Sequence, residues 1–292
     1  MGDPSVTELP VQGAPDSIIP VLAGGGARLS AHIGILAALD ELDLAYPEFV
    51  GVSGGSIVAA LRAGGRSIEE IREVAATTDF SQFLGHNLWR LLQSGGLSSG
   101  EGFERWMDRM MDGRTLGELE RDLHVVATDV RSGQPVIFSS RSTPDIRVSE
   151  AVRYSMSVPL LFSFKHRGEQ VLTDGSILSE EALRRDWTGS GTPVVVFKLR
   201  GTGGLSVSQR SSLPLRDYLG MLIHTFMTSL AHEYVNDAFW LSTIVVETGE
   251  ISPVAFSLGP EEKERLFQMG FENTLSHLPR KLGQQAGQTG AP

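Results

Sequence analysis

The sequence predicts an α/β fold with a central, mostly parallel sheet flanked by helices. Three observations point there. Two strand–turn–helix units stand in tandem, at 17–42 and 48–63. Short apolar runs recur downstream, at 123–129, 135–139, 193–199 and 241–247, with helically spaced stretches between several of them. The chain has 292 residues, 41% hydrophobic and 21% charged, and a chain of that size buries about three quarters of its unfolded surface in a core of its own.

Residues 1–16, rich in Pro, Gly and Asp, are expected to form a flexible arm, and 282–292 a flexible tail. Residues 17–281 form one domain, with no internal repeat and no long linker. The first strand, 17–23, ends in a glycine cluster; Pro20 within it cannot donate to a ladder, which is awkward for a central strand. A helix over 31–42 places Ile33, Leu36 and Leu39 on one side. Strand 48–52 leads into helix 56–63, closed by Gly64-Gly65. Helix 68–77 follows, and 80–111 then gathers Phe, Trp, Leu and Met around the loop Ser94-Gly95-Gly96-Leu97-Ser98. Strands 123–129 and 135–139 are joined by a turn at Ser132-Gly133, and 149–156 is a short helix. Strand 193–199, helix 213–239, strand 241–247 and helix 261–278 complete the domain.

Thirty-five acidic residues against 25 basic leave a net charge of −10. No broad cationic field exists to neutralise phosphates, so a general nucleic-acid binder is excluded. A local apolar lip can still dock on lipid, so peripheral membrane contact stays open. The absence of cysteine removes disulfides, thiolate zinc sites and a Cys nucleophile, and fits the cytoplasm. No cationic start precedes an apolar run, so no secretory signal is expected. Val6 stands where a myristoylation motif needs Ser or Thr, and no run approaches the ~18 apolar residues of a membrane span.

The sharpest chemical feature is Gly51-Val52-Ser53-Gly54-Gly55, a G-x-S-x-G between strand and helix, the context of a nucleophile elbow. Glycines at Gly51 and Gly55 allow the tight turn that exposes the serine, and the following helix offers its N–H groups to developing negative charge. A second cluster, Gly24-Gly25-Gly26-Ala27-Arg28, has three competing functional readings. A dinucleotide fingerprint fails because Leu29 occupies its last glycine position, and a P-loop lacks its Gly-Lys-Ser/Thr ending. An oxyanion hole built on bare N–H groups of Gly25 and Gly26 remains, beside the plain reading of a strand-to-helix turn. Arg28 either fixes that loop or adds positive potential.

A serine nucleophile needs a base. None of the seven histidines (His32, His86, His124, His166, His224, His232, His277) stands in an Asp-to-His context, and His224 and His232 lack an H-E-x-x-H pattern, so zinc is not expected. Asp174, in Val171-Leu172-Thr173-Asp174-Gly175-Ser176, is presented at a strand end, although Asp-Gly is also a common plain turn.

In this order, the three stretches resemble the patatin-like phospholipase family. The likeness extends through Ala31–Leu36, Ala127-Thr128-Asp129 with Gly133 and Phe138, and the segment from Ala151 through Ser155 to Pro159 and Phe162, covering about 18–197. The resemblance implies a three-layer α/β/α fold and a Ser–Asp dyad without a cofactor or metal. Ser53 would attack the ester carbonyl of a phospholipid or lysophospholipid, and Asp174 would take its proton. Gly24, Gly25, Gly26 and Arg28 would form the oxyanion loop. This sequence departs from the family at Leu29, where another glycine is usual, at Ser176, where Gly or Ala is usual, and at Ser179-Glu180-Glu181, where Asn-Pro is frequent. For the acyl chain, 80–111 offers Leu88, Trp89, Trp106 and Met110, unless Met and Trp at helical spacing simply pack inward. The stripe from Leu215 to Leu230 is expected in the core. A catalytically silent lipid-binding scaffold and an acyl-thioester transferase are the alternatives.

Overall fold

A computed structural model describes residues 15–85, 87–177, 183–201, 215–231 and 237–289. His86, His232 and Ser179-Glu180-Glu181 lie outside them, as does most of the predicted arm. The principal sheet runs β10 (Thr243–Glu247), β9 (Val194–Arg200), β1 (Ile19–Ala23), β2 (Glu48–Val52), β4 (Asp122–Asp129), β8 (Gln170–Asp174) and β7 (Lys165–Arg167), with β5 (Gln134–Ser139) also on β4. From β10 to β4 every pairing is parallel, whereas β5, β8 and β7 join antiparallel. A separate two-stranded parallel sheet pairs β3 (Gly96–Ser98) with β6 (Leu160–Phe162).

The central strands β1, β2 and β9 are largely apolar because both faces of the sheet are covered there. Along β1, Ile18 and Leu22 join the larger core, which also takes in α1 (Leu29–Glu41), α2 (Gly54–Ala63), α3 (Ile68–Thr77) and α8 (Pro260–Thr289). Ile19 and Val21 turn to the opposite face, against Val50, Val126, Leu183 and Trp187. α1 and α8 cross with backbones almost touching: a Cβ on Gly34 would lie 2.0 Å from Phe267 O, and one on Gly270 2.0 Å from Ala31 O.

Pro20 does sit in a central strand. Pairing of β1 with β9 spans 19–23, but pairing with β2 begins only at Val21. Ile19 N–H bonds Pro193 O on the β9 side, so the position of Pro20 faces β2 one residue before that ladder starts, where a missing donor costs nothing. At the other terminus the helix predicted to stop at 278 continues to Thr289, through Pro279 and into the expected tail. Leu278 and Leu282 are buried in the core, which anchors this last stretch. The segment 80–111 resolves into α4 (Leu88–Ser94), β3 and α5 (Glu101–Met110), and the downstream helices are α6 (Val148–Ser155) and α7 (Leu215–Ala231). Among the described residues no helix is long and apolar enough to cross a membrane.

The register around β4 creates the site. β2 occupies one edge of β4 as far as Val52↔Val126, and β8 pairs from Ala127↔Asp174 onward. The residue after β2 and the last residue of β8 therefore meet beside the same stretch of β4. These are Ser53 and Asp174.

Candidate active site

Ser53 adopts φ 52° and ψ −129°, a left-handed backbone that strains a residue carrying a Cβ. Its glycine neighbours are required by close approach. A Cβ on Gly55 would lie 2.1 Å from Leu22 O, one on Gly51 2.6 Å from Ser56 Cα, and one on Gly54 2.7 Å from Gly26 O. The turn is braced by two serines. Ser53 N–H donates to Ser155 Oγ at 2.8 Å, Ser155 Oγ donates to Val126 O at 2.6 Å, and Ser56 Oγ donates to Ser53 O at 2.6 Å. Ser155, at the end of α6, is a positioning residue that sequence reasoning placed only within a family-like segment; no motif marks a strut 102 residues from its partner.

The glycine loop wraps against this turn. Gly24, Gly25 and Gly26 all have positive φ, at 67°, 102° and 55°, a run suited to glycine. Gly24 N–H bonds Val52 O, and Gly55 N–H bonds Gly24 O, both at 3.1 Å. The N–H groups of Gly25, Gly26 and Gly54 enter none of the loop's hydrogen bonds, and the backbones of Gly26 and Gly54 touch. Free backbone donors in the turns around a serine are what an oxyanion hole would require.

Arg28 faces away from that role. It is buried, and its guanidinium donates to Gly25 O (3.2 Å), Leu199 O (3.2 Å) and Thr248 Oγ1 (2.9 Å). Burial lowers its pKa to about 10. Its bonds fix the loop from behind. His32 does the same from α1: Nε2 lies 3.1 Å from Gly24 O, and burial pulls its pKa down to about 4. The ring is therefore neutral at pH 7, with Nε2 assigned as the donor by its carbonyl partner.

Asp174 is fully buried. Its backbone N–H donates to Ser157 O (3.1 Å), its carbonyl accepts from Thr128 Oγ1 (3.0 Å), and its Oδ1 accepts from Ser176 N–H (2.8 Å). A Cβ on Gly175 would lie 2.2 Å from Val126 O, so the Asp-Gly turn serves a packed backbone. Burial pushes the Asp174 pKa up to about 6, against the pull of the Ser53 hydroxyl and of the Ser176 N–H and hydroxyl. Those hydroxyls are near enough to act on the carboxyl, yet Ser53 Oγ, Ser176 Oγ and Asp174 Oδ2 are all buried without a hydrogen bond of ordinary geometry. Such loose contacts are common at catalytic centres before substrate binds.

His124 bonds Glu48 at 2.7 Å where β2 and β4 begin, at the end of the sheet opposite Ser53, and packs at a tilt against Trp187. His166 is on β7, His224 on α7 and His277 on α8.

The expected acyl-chain residues divide. Trp106 is buried among Phe80, Phe83 and Phe103, and Met110 packs against the same core; the alternative of inward packing holds for both. Leu88 and Trp89 lie exposed on α4 with Leu92, Trp89 at 74% and Leu92 at 79%. A different apolar group borders the glycine loop. Ile223 and Met227 of α7 pack with Val158, Leu161 and Phe162, and Met227 Cε is 3.2 Å from where a Cβ on Gly26 would stand. Part of the 215–230 stripe, expected as general core, thus reaches the site.

Comparison with known proteins decides the family. A model of the patatin-like phospholipase family matches residues 21–183, more than half of the chain. The chain belongs to the patatin-like phospholipase family. Membership supports lipid hydrolysis as the activity class and agrees with the fold. An uncharacterized protein of Acanthamoeba polyphaga mimivirus is 25% identical over 288 residues, covering 88% of this chain and 92% of its own length. An uncharacterized NTE-family protein of Mycobacterium tuberculosis is 33% identical over 163 residues, 54% of this chain but 26% of that protein. The chain thus spans about a quarter of the length of the mycobacterial relative it matches. Among solved structures, VipD from Legionella pneumophila shares the fold with a TM-score of 0.60 at 16% identity, over 91% of this chain and 67% of that one.

Proposed function

We propose that this patatin-like chain is a lipid acyl hydrolase of phospholipase A or lysophospholipase type, working through Ser53 and Asp174. The observation that carries the reading is that Ser53 Oγ and Asp174 Oδ2 are both enclosed without a hydrogen-bond partner, where the ends of β2 and β8 meet beside β4. Asp174, at about 6, is ionised at neutral pH and is a stronger base than an ordinary carboxylate.

Ser53 Oγ attacks the ester carbonyl carbon and passes its proton to the Asp174 carboxylate. The tetrahedral oxyanion accepts from the N–H groups of Gly25, Gly26 and Gly54. Collapse breaks the bond to the alcohol, which leaves with the proton from Asp174. Water then attacks the acyl-enzyme, giving a proton to Asp174; Ser53 recovers it as the fatty acid departs. No step calls for a metal ion. The acyl chain lies along Ile223, Met227, Val158 and Leu161. Ser53 and Asp174 are fully enclosed, so substrate enters only when their cover opens.

Fatty-acid release from phosphatidylcholine and lysophosphatidylcholine vesicles, with a chelator present, tests this reading. Wild type releases fatty acid, and Ser53→Ala and Asp174→Asn each lower the rate about a thousandfold or more. Undiminished release by Ser53→Ala overturns the mechanism; no release by the folded wild type favours the silent scaffold.

Contact with the lipid surface falls to α4, no residue of which is buried. Leu88, Trp89 and Leu92 project on one helical face, the composition of an interfacial anchor. Trp89→Asp with Leu92→Asp is expected to cut vesicle hydrolysis about tenfold or more while sparing a soluble short-chain ester. Equal loss on both substrates contradicts the anchor.

A further inference from the structure

The reaction as derived leaves one buried polar group of the site without a task. The hydroxyl of Ser176 is enclosed and has no hydrogen bond of ordinary geometry. It lies 3.5 Å from where a Cβ on Gly24 would stand, in the corner between the glycine loop and Asp174. The same residue's N–H already holds Asp174 Oδ1 at 2.8 Å. Ser176 also departs from the Gly or Ala that the family pattern leads one to expect there, so its hydroxyl is a feature of this chain.

We propose that Ser176 is a positioning residue whose hydroxyl donates to the Asp174 carboxylate, holding it ionised and aimed at Ser53; this rests on the reading of Asp174 as the base. A buried carboxylate with few donors reverts to its neutral form, which cannot accept the serine proton. Ser176 N–H already holds Oδ1 at 2.8 Å, and its enclosed hydroxyl, on the same residue, has no competing partner, as Asp174 Oδ2 has none. The ionisable groups on neighbouring elements are already engaged. On the loop side His32 is neutral and Arg28 is bonded to Gly25, Leu199 and Thr248. On β4, Asp129 is held by Ser132 and the N–H groups of Arg131 and Val171. On α6, Arg153 is bonded to Ser157, Ser99 and Ser163. Burial and the two serines therefore set the state of Asp174.

The test is the pH profile of kcat/KM on a soluble short-chain nitrophenyl ester, for the full chain as wild type, Ser176→Ala, Ser176→Gly, Ser176→Thr and Asp174→Asn. Both variants without the hydroxyl are expected to move the acid limb upward by about one to two pH units, the size of one hydrogen bond to a charged group. Ser176→Thr keeps the wild-type limb. An unmoved limb in Ser176→Ala and Ser176→Gly, or a rate lowered equally at every pH, overturns the proposal while leaving the dyad standing. Wild-type activity that survives Asp174→Asn removes the base and the proposal together.

Discussion

Ser53→Gly is expected to abolish hydrolysis and to yield a more stable protein than Ser53→Ala. The loss of activity follows from the missing nucleophile and is expected at about a thousandfold or more for either variant. The difference between them comes from the backbone. At φ 52° and ψ −129° a side chain is strained by about 1–3 kcal/mol, and glycine relieves that strain. Its extra freedom in the unfolded chain offsets about 0.5–1 kcal/mol. A net advantage of about 1–2 kcal/mol for Gly over Ala remains, read as a higher denaturation midpoint at unchanged m-value. If Ser53→Ala is the more stable of the two, the elbow is not strained and its tight contacts need another explanation.

Asp174→Asn is expected to abolish activity and stabilise the fold, in a manner that depends on pH. The carboxyl has a folded pKa of about 6 against 3.8 when free. Below pH 4 it is protonated in both states and contributes nothing. Between the two values the folded protein takes up a proton that the unfolded chain lacks, so stability falls as pH rises. Above 6 the full cost is present, about 3 kcal/mol at about 1.4 kcal/mol per pH unit. Asparagine carries no charge to desolvate and can still accept from Ser176 N–H through its oxygen. The variant should therefore gain up to about 3 kcal/mol at neutral pH, a gain that fades as pH falls from about 6 and is gone below about 4. Denaturant melts at several pH values check this; a gain independent of pH would mean that the ionised carboxylate is not what burdens the fold. Activity carries the opposite dependence, falling as pH drops through about 6, because the protonated acid cannot accept the serine proton.

Both predictions depend on residues that could be named from sequence, and the reason is steric. Gly51, Gly54, Gly55 and Gly175 each lack a Cβ where backbone lies within 2.7 Å of its place, so the turns that present Ser53 and Asp174 leave a glycine pattern. The strand before Ser53 is buried on both faces and reads as a largely apolar run. Long-range partners leave no such pattern. Nothing local says that Arg28 reaches Thr248 or that Ser155 supports Ser53. Composition was equally silent on where an apolar segment goes: within 80–111, Trp106 joins an aromatic cluster while Trp89 faces outward. The tail at 282–292, with its Gly and Gln, gives few apolar positions, yet Leu282 joins Leu278 in the core and carries the helix onward.

Covalent labelling with a fluorophosphonate tests the central claim most directly, since the reagent reports the activated nucleophile whatever the lipid specificity. The serine oxygen attacks phosphorus, fluoride leaves, and the adduct stays on the residue that carried the attack. Intact mass and peptide mapping should find one adduct, on Ser53, absent in Ser53→Ala and formed far more slowly in Asp174→Asn. An adduct on another serine, or labelling of Ser53→Ala at the wild-type rate, would contradict the account.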